Sequence, residues 1–505
     1  MLINWRTIRY IFGNLLLLLS FFMTVATGVA VFYHYRCGDN DWWAFLVTTL
    51  ITIVIGAVSA ISARKHKNTL SIREGFLVVA MSWVLFSAFG MLPYLFVGSC
   101  PTVAGAFMET MAGFTTTGCT VITDIESQPH GILFWRCLTQ WVGGLGIVVF
   151  SLSMLPMLGI GLTTMYNAEV SGLGVEKLRP KISATARRLW IIYLFFSALC
   201  GVSYWLCGMP VFDAVCHTLS TMASGGFSTH QASIGYFQSP AIEYVCAIFM
   251  IITTCNYSLY YMAAVGKFRH FWRNEEFRFY ILLILGATVL FMLLEGISRW
   301  DQFVLIEPDQ EAALGDGSFL TSFRTMFFHT ATIISSSGFQ AQYFDYQLWG
   351  PVFWVPTLIL MVMGGCAGST AGGLKVIRFM VLGKNARNEF LQQIDPRTYT
   401  AVRINGHTIP NEMVHRVMAL MLTYIFLVVV SIFFLQILGL SFDTAIGTTI
   451  SAFGNTGPAL GSTGPAFNWA NVPEIGKWYL SVCMLIGRLE VFTVVLMFLP
   501  MFWKK

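Results

Sequence analysis

This sequence predicts an all-α polytopic membrane protein: four copies of one helical unit behind a leading pair of helices. Three observations lead there. Of 505 residues, 56% are hydrophobic and only 11% charged, with a mean hydropathy of +0.68. A soluble chain of this length carries roughly twice that charge. Apolar runs of membrane-spanning length recur along the chain. Between them lie four apolar runs too short to cross, each ending in small and polar residues.

The long runs fall near 10–34, 42–63, 74–98, 131–162, 187–208, 240–265, 278–297, 350–382, 412–438 and 474–503, which makes about ten crossings. The runs at 131–162 and 350–382 are long enough to require tilt or a break. Arg6 and Arg9 precede the first run, as in a signal peptide. Its apolar core is too long for that, and no small-residue cleavage site follows, so it reads as the first transmembrane helix.

Charge sets the expected orientation. With the N-terminus inside, the inner segments 1–9, 64–73, 177–188, 267–278, 375–416 and 504–505 hold 24 of the 30 Lys and Arg residues. Both termini are then cytoplasmic, by the positive-inside rule. Arg36, Arg136, Arg299, Arg324 and Lys477 fall on the outer side, and Arg488 lies within a span. The outer half holds about 16 of the 25 acidic residues, among them Asp301, Glu307, Asp309, Glu311 and Asp316. Such a face concentrates cations, or is simply solvated. The net charge of +5 is no nucleic-acid signal, because the basic residues follow the membrane topology. The 11 cysteines form no CxxC pair and no Cys/His ligand spacing, so no metal centre is expected; Cys37 and Cys100 both fall near the outer face and could pair.

The short runs cover about 104–114, 212–222, 319–334 and 442–453. Runs of this length are re-entrant or interfacial more often than spanning. They lead into TTTGCT (115–120), ASGGFS (223–228), SSSGFQ (335–340) and GNTGPA (454–459). Aligned on Gly118, Gly226, Gly338 and Gly457, each has a threonine eight residues earlier: Thr110, Thr218, Thr330 and Thr449. The two residues before each glycine are small or polar: Thr116 and Thr117, Ser224 and Gly225, Ser336 and Ser337, Asn455 and Thr456. Ser318, Asp213 and Asp443 stand where a helix-start residue is expected. The glycines are 108, 112 and 119 residues apart. Four units of helix, half-helix, small polar loop and helix result, and the first two spans stand outside them.

Irregular backbone at membrane depth is tolerated only where it lines a water-filled path or is buried in protein. A half-helix ending there points its negative dipole end inward. Small residues expose backbone carbonyls, and glycine takes conformations that a Cβ forbids. Four such loops about one axis make rings of oxygens that replace the water shell of an ion. For one loop, a helix break at a packing glycine would explain the pattern; four aligned loops favour the filter.

On these residues the chain resembles the superfamily of Trk, Ktr and HKT potassium transporters, most closely the TrkH type. The matching motifs are GGCAGSTAGGLKVIR (364–378) and GRLEVFT (487–493). The two leading helices favour TrkH over Ktr. The resemblance implies four M1–P–M2 repeats around one pseudo-fourfold pore, with about ten crossings and four re-entrant loops. The divisions are 1–72 for the leading pair, then 73–176, 177–277, 278–405 and 406–505. It implies K⁺ uptake across the bacterial inner membrane by a homodimer with one pore per subunit. K⁺ is the bound, transported ion, and no organic cofactor is implied in this chain. The filter would comprise Thr115, Thr116, Thr117 and Gly118; Ala223, Ser224, Gly225 and Gly226; Ser335, Ser336, Ser337 and Gly338; Gly454, Asn455, Thr456 and Gly457. In the family, glycine in all four units accompanies K⁺ selectivity, and serine in the first accompanies Na⁺ permeation.

Gly364, Gly365, Gly368, Gly372 and Gly373, with Ser369 and Thr370 among them, should break or loosen any helix through 364–373. The segment lacks the spacing of a phosphate loop. The resemblance implies an intramembrane gating loop beneath the filter; a close helix–helix contact is the other reading. Ala371 stands where the family pattern has a further glycine, which stiffens the loop. Lys375 is expected at the inner mouth. Arg488, deep in the last span, is a functional-site candidate by its cost alone. The resemblance points it into the pore, where it repels waiting cations; a pair with Glu490 or another carboxylate is the alternative. Glu109 adds negative potential near the filter or acts as a hydrogen-bond strut, and His217 and His329 at the aligned positions favour the strut.

Only the inner loop at about 384–411 is long enough to dock something, and the chain contains no nucleotide-binding motif. By resemblance, a separate TrkA-type cytoplasmic subunit binding NAD(H) or ATP gates the pore. An organic-solute symporter would need two-fold or inverted repeats. An intramembrane enzyme would need a convergent acid, base, nucleophile or metal set. The spans offer only scattered ionisable groups.

Overall fold

A computed structural model describes residues 3–63, 71–153, 182–298, 317–341, 349–397 and 401–503. Asp301, Glu307, Asp309, Glu311, Asp316, the basic segment 177–181 and the end of the 131–162 run lie outside the described residues.

The chain is helical almost throughout, as lipid requires of backbone that must satisfy its own polar groups. The leading pair is α1 (Trp5–Cys37) and α2 (Trp42–Ala63). Next come α3 (Ile72–Gly90), α4 (Leu92–Val97), the short α5 (Val103–Phe114) and α6 (His130–Ser153). Then follow α7 (Ile182–Leu206), the short α8 (Val211–Ala223), α9 (Pro240–Thr253), α10 (Tyr257–Ala264) and α11 (Arg269–Arg273). The third run is α12 (Glu275–Ser298), α13 (Phe319–Ile334), α14 (Pro351–Met363) and α15 (Val376–Ile394). The last is α16 (Asn411–Ile437), the short α17 (Phe442–Gly454), α18 (Glu474–Arg488), α19 (Phe492–Phe498) and α20 (Pro500–Trp503).

The short helices start on local signals. Thr102 accepts a hydrogen bond from Gly105 N at 3.1 Å, and Ser318 accepts one from Thr321 N. Asp213 and Asp443 are not the caps: α8 starts after Pro210 and α17 after Ser441, and both aspartates lie in the first turn. There they face the positive end of the helix dipole instead of closing its first N–H groups.

Six helical stretches among the described residues are long and apolar enough to cross a membrane, and a seventh is bent. That bend corrects the reading of 240–265 as one span. The chain turns by 90° between α9 and α10, where Asn256 accepts a hydrogen bond from Ser258 N at 2.8 Å and starts a new helix. The run at 350–382 breaks across the glycine-rich segment, as its length requires. The run at 474–503 is also broken, at Leu489–Val491, with Glu490 and Val491 at φ 60° and 58°. Hydropathy does not register the breaks at Thr254–Asn256 and Leu489–Val491, because it averages over windows much longer than three residues.

Packing closes a ring. In order, α5, α6, α8, α9, α13, α14, α17 and α18 each contact the next, and α18 contacts α5. The long helices α3, α7, α12 and α16 lie against α5, α8, α13 and α17 respectively. The leading pair packs outside this ring, on α6 and α3. At 384–411, α15 continues to Ile394 and a two-strand hairpin (Arg403–Ile404 with His407–Thr408) follows. Asn405 and Glu275 exchange backbone-to-side-chain bonds of 2.8 and 2.9 Å, so the hairpin is tied to α12.

Close approach of α1 and α2 rests on missing side chains. A Cβ at Gly13 would lie 2.5 Å from Ala60 N and 2.8 Å from Gly56 O. Small residues four apart let membrane helices meet backbone to backbone. Gly13→Val should therefore lower the heat-unfolding midpoint in detergent by several degrees, as overpacking of about 1–3 kcal/mol implies. An unchanged midpoint would show that the pair tolerates separation.

Candidate ion-conduction site

The four short helices end in one backbone shape. Two residues before each aligned glycine, Thr116, Ser224, Ser336 and Asn455 adopt left-handed φ values of 53°, 54°, 53° and 53°. Such a conformation costs a non-glycine residue roughly 1–2 kcal/mol. Gly118, Gly226, Gly338 and Gly457 follow at φ 80°, 80°, 75° and 95°. Between them, the N–H of Thr117, Gly225, Ser337 and Thr456 turns back to Ala112, Ser220, Thr332 and Ser451 carbonyls at 2.8–3.0 Å. The helix thus ends with its N–H groups satisfied and the next carbonyls turned away.

Those carbonyls face the neighbouring loop. A Cβ at Gly118 would overlap the Gly225 oxygen, one at Gly226 the Ser337 oxygen, and one at Gly338 the Thr456 oxygen. At Gly457 it would lie 2.6 Å from the Thr117 oxygen. The series closes on itself. Each glycine is needed twice, for its φ and for the carbonyl beside it. All four glycines line one solvent-open pocket, with His230, Gln340 and Trp469 among its other walls.

Hydroxyl pairs brace two of the loops: Thr115 with Thr117 and Ser335 with Ser337, both at 2.8 Å. Asn455 Nδ2 ties the fourth loop to Thr117 Oγ1 (3.0 Å) and Met484 O (2.9 Å). The second loop, Ala223 to Gly226, has no such hydroxyls. Gln140 on α6 holds it instead, and sequence reasoning missed this residue.

The glycine-rich segment lies against three of these loops. Thr370 O accepts from Ser224 Oγ at 2.9 Å, and Gly372 N donates to Ser336 Oγ at 2.5 Å. A Cβ on Gly372 would overlap Gly454 O. The segment is pinned at its sides. Thr370 Oγ1 donates to Thr253 O, Tyr257 N to Gly368 O, and Val376 N to Gly365 O, at 3.1–3.2 Å. Gly364 packs on Gly372 and Gly373, and Ser369 Oγ donates to Cys366 O at 2.6 Å. Neither a continuous helix nor a plain helix–helix contact describes it. Lys375, at φ 64°, is buried, with its ammonium on Ala371 O.

Arg488 is 2% exposed and donates from Nη1 to Thr370 O at 2.8 Å. Its Nε and Nη2 have no hydrogen-bond partner among the described residues. The pairing with Glu490 is not made: Glu490 pairs with Arg378, because two residues apart they project from different sides of the chain. Glu109 pairs with Arg136 at 2.9 Å, and both are fully buried. Its carboxylate also accepts from Thr120 Oγ1 (3.0 Å) and Val121 N (2.8 Å). Arg136 is thus a buried, paired charge; it also donates to Ser228 O at 3.2 Å and lies over the Phe227 ring at 4.4 Å. At the aligned positions, His329 Nε2 meets Thr357 Oγ1 at 3.0 Å and His217 Nε2 meets Ser228 Oγ at 2.9 Å. All three side chains act as struts behind the loops. Cys37 and Cys100 are free thiols.

Residues 43–505 match the family described as TrkH, cation transport protein. The chain belongs to the TrkH family. It is 36% identical to the Trk system potassium uptake protein TrkH of Salmonella typhimurium, over 99% of this chain and all of that protein. Identity to the protein of the same name from Escherichia coli K12 is 35% over the same shares. The crystal structure of the potassium transporter TrkH from Vibrio parahaemolyticus superposes with a TM-score of 0.86, at 33% identity, covering 99% of this chain and all of that one. This TrkH-family chain is a multi-pass, all-helical membrane protein.

The buried Glu109–Arg136 pair makes a sharp expectation. Glu109→Gln leaves Arg136 without its counter-charge and should destabilise the purified protein by about 3–5 kcal/mol. Glu109→Gln with Arg136→Met should recover most of it. A wild-type unfolding midpoint for the single variant would refute the strut.

Proposed function

We propose that this chain takes up K⁺ across the bacterial inner membrane through a channel-like pore with a four-loop filter. The observation that carries the reading is the closed series of glycine–carbonyl contacts, from Gly118 round to Thr117. Backbone oxygens arranged in a ring replace the hydration shell of a monovalent cation. The C-terminal ends of α5, α8, α13 and α17 add negative potential at that ring. The relatives named as potassium uptake proteins support K⁺ as the ion.

In this reading the chain comprises a leading pair (1–72) and four M1–P–M2 repeats (73–176, 177–277, 278–405, 406–505), with α5, α8, α13 and α17 as the re-entrant pieces. Both termini are cytoplasmic. Residues 364–375 are the gate, because they lie directly against Ser224, Ser336 and Gly454. Arg488 holds the gate through Thr370 and places positive charge in the cation path. The protein works as a homodimer with a TrkA-type nucleotide-binding subunit on its cytoplasmic face, and carries out no covalent chemistry.

Flux into liposomes tests the filter. Wild-type protein should pass K⁺ and Rb⁺ well ahead of Na⁺ and Li⁺. Gly118→Ser should admit Na⁺, because its side chain displaces the Gly225 carbonyl. Carriage of an organic solute with cations excluded would replace the pore by a symporter. Gating has a separate test: Arg488→Ala should raise K⁺ flux in the absence of any cytoplasmic subunit. Flux unchanged from wild type would remove Arg488 from the gate.

A further inference from the structure

We propose that Gln140 is a positioning residue for ion selection: it braces the second filter loop, which lacks the braces of the other three. This rests on the filter reading above.

The geometry is direct. Gln140 Nε2 donates to the Gly225 carbonyl oxygen at 2.7 Å, and its Oε1 accepts from Phe227 N at 3.1 Å. One planar amide thus clamps the loop on both sides of Gly226. Gln140 is completely buried, so both of its polar ends are held without competing water. One turn earlier on the same face of α6, Arg136 holds Ser228 O.

The clamp stands where other loops have hydroxyls. The first and third loops carry Thr115 and Thr117, or Ser335 and Ser337, each pair bonded at 2.8 Å. The same positions in the second loop are Ala223 and Gly225. A Cβ on Gly225 would collide with the Gln140 amide. The glycine and the glutamine are therefore a matched pair: the missing side chain makes room for the clamp, and the clamp replaces the missing brace.

The other units use a different residue there. Ten residues after the first residue of α6, α9, α14 and α18 stand Gln140, Met250, Met361 and Met484. The register of this comparison holds independently. Arg136 and Thr357 are each six residues into their helices, and they bond Glu109 and His329 at aligned loop positions. Methionine has no donor. Among the described residues no donor engages the carbonyl oxygens of Thr117, Ser337 or Thr456. The Gly225 oxygen alone of the four is both aimed and partly neutralised by a protein N–H.

An unclamped Ser224-Gly225-Gly226 stretch has two consecutive glycines and adapts to ions of different radius. Gln140→Met should lower the K⁺ preference over Na⁺ in liposome flux by about three- to tenfold, the factor that one or two ordinary hydrogen bonds carry. Gln140→Met with Ala223→Ser and Gly225→Ser rebuilds the hydroxyl pair in the space vacated, and should restore the ratio. Gln140→Asn, whose amide falls one methylene short, should resemble Gln140→Met with less change in volume. A wild-type ratio in either single variant overturns the proposal. So does a triple variant that folds and stays as unselective as Gln140→Met. Should Gln140→Met not fold, the Asn and triple variants decide by the same criteria. Wild-type liposomes that pass no cation, with the cytoplasmic subunit supplied, would instead sink the filter reading itself.

Discussion

A backbone carbonyl at membrane depth has no water to turn to, and four of them meeting at one place repel one another. The closed contact among Gly118, Gly226, Gly338, Gly457 and the carbonyls beside them depends on relieving that conflict. Each loop first returns its own N–H groups to its short helix, which leaves its carbonyls without an internal partner. Each then adopts a left-handed residue that is not glycine, at a cost of roughly 1–2 kcal/mol per position. Strain repeated at four sites persists only where surrounding packing over-determines it. The ring of eight helices supplies that packing, since every short helix is held between two ring neighbours and against one of the long helices α3, α7, α12 and α16. A cation at the centre would relieve the remaining repulsion, so the geometry and its proposed occupant explain each other.

Several buried charges are held in ion pairs, while Lys375 and Arg488 rest on backbone carbonyls. Glu109–Arg136, Arg324–Glu243 and Arg378–Glu490 are matched pairs, as low-dielectric surroundings require. The first lies behind the first glycine loop; the last ties α15 to the break after α18. Arg488 has a single carbonyl as its partner and two nitrogens unengaged among the described residues. An unmatched buried charge is retained against its cost only where the charge is used.

Much of this was legible in the sequence. The third short helix falls on the expected 319–334, and the others lie within a residue of their expected ends, because apolar runs bounded by turn formers define both termini. The small or polar character of the residues before each aligned glycine was also legible, but not that Thr116, Ser224, Ser336 and Asn455 take left-handed φ, which the β-branched threonine in particular disfavours. The breaks at Thr254–Asn256 and Leu489–Val491 were not legible either, since hydropathy averages across three residues. Nor were the pairings. Arg136 meets Glu109 across 27 residues, and Gln140 meets Gly225 across 85. No periodicity links such positions. The signal that existed for Gln140 was relational: one glutamine where three aligned helices carry methionine, facing the one loop with two adjacent glycines.

The four glycine loops and the glycine-rich segment also share bonds, which constrains how the proposed gate would open. Thr370 O accepts from both Ser224 and Arg488, and Gly372 N donates to Ser336. Residues 364–375 cannot leave without releasing the second and third loops together with the arginine. Two neutral bonds and one charged bond amount to about 3–5 kcal/mol net. A two-state equilibrium moves from 1:99 to 99:1 with about 5.5 kcal/mol of differential binding. The contacts are therefore strong enough to keep the segment in place unaided. Because the same bonds also steady Ser224 and Ser336, in the proposed gate displacement would loosen the loops as the path clears, and the proposed selection would then rest on the braces that stay behind: the hydroxyl pairs, Asn455 and Gln140.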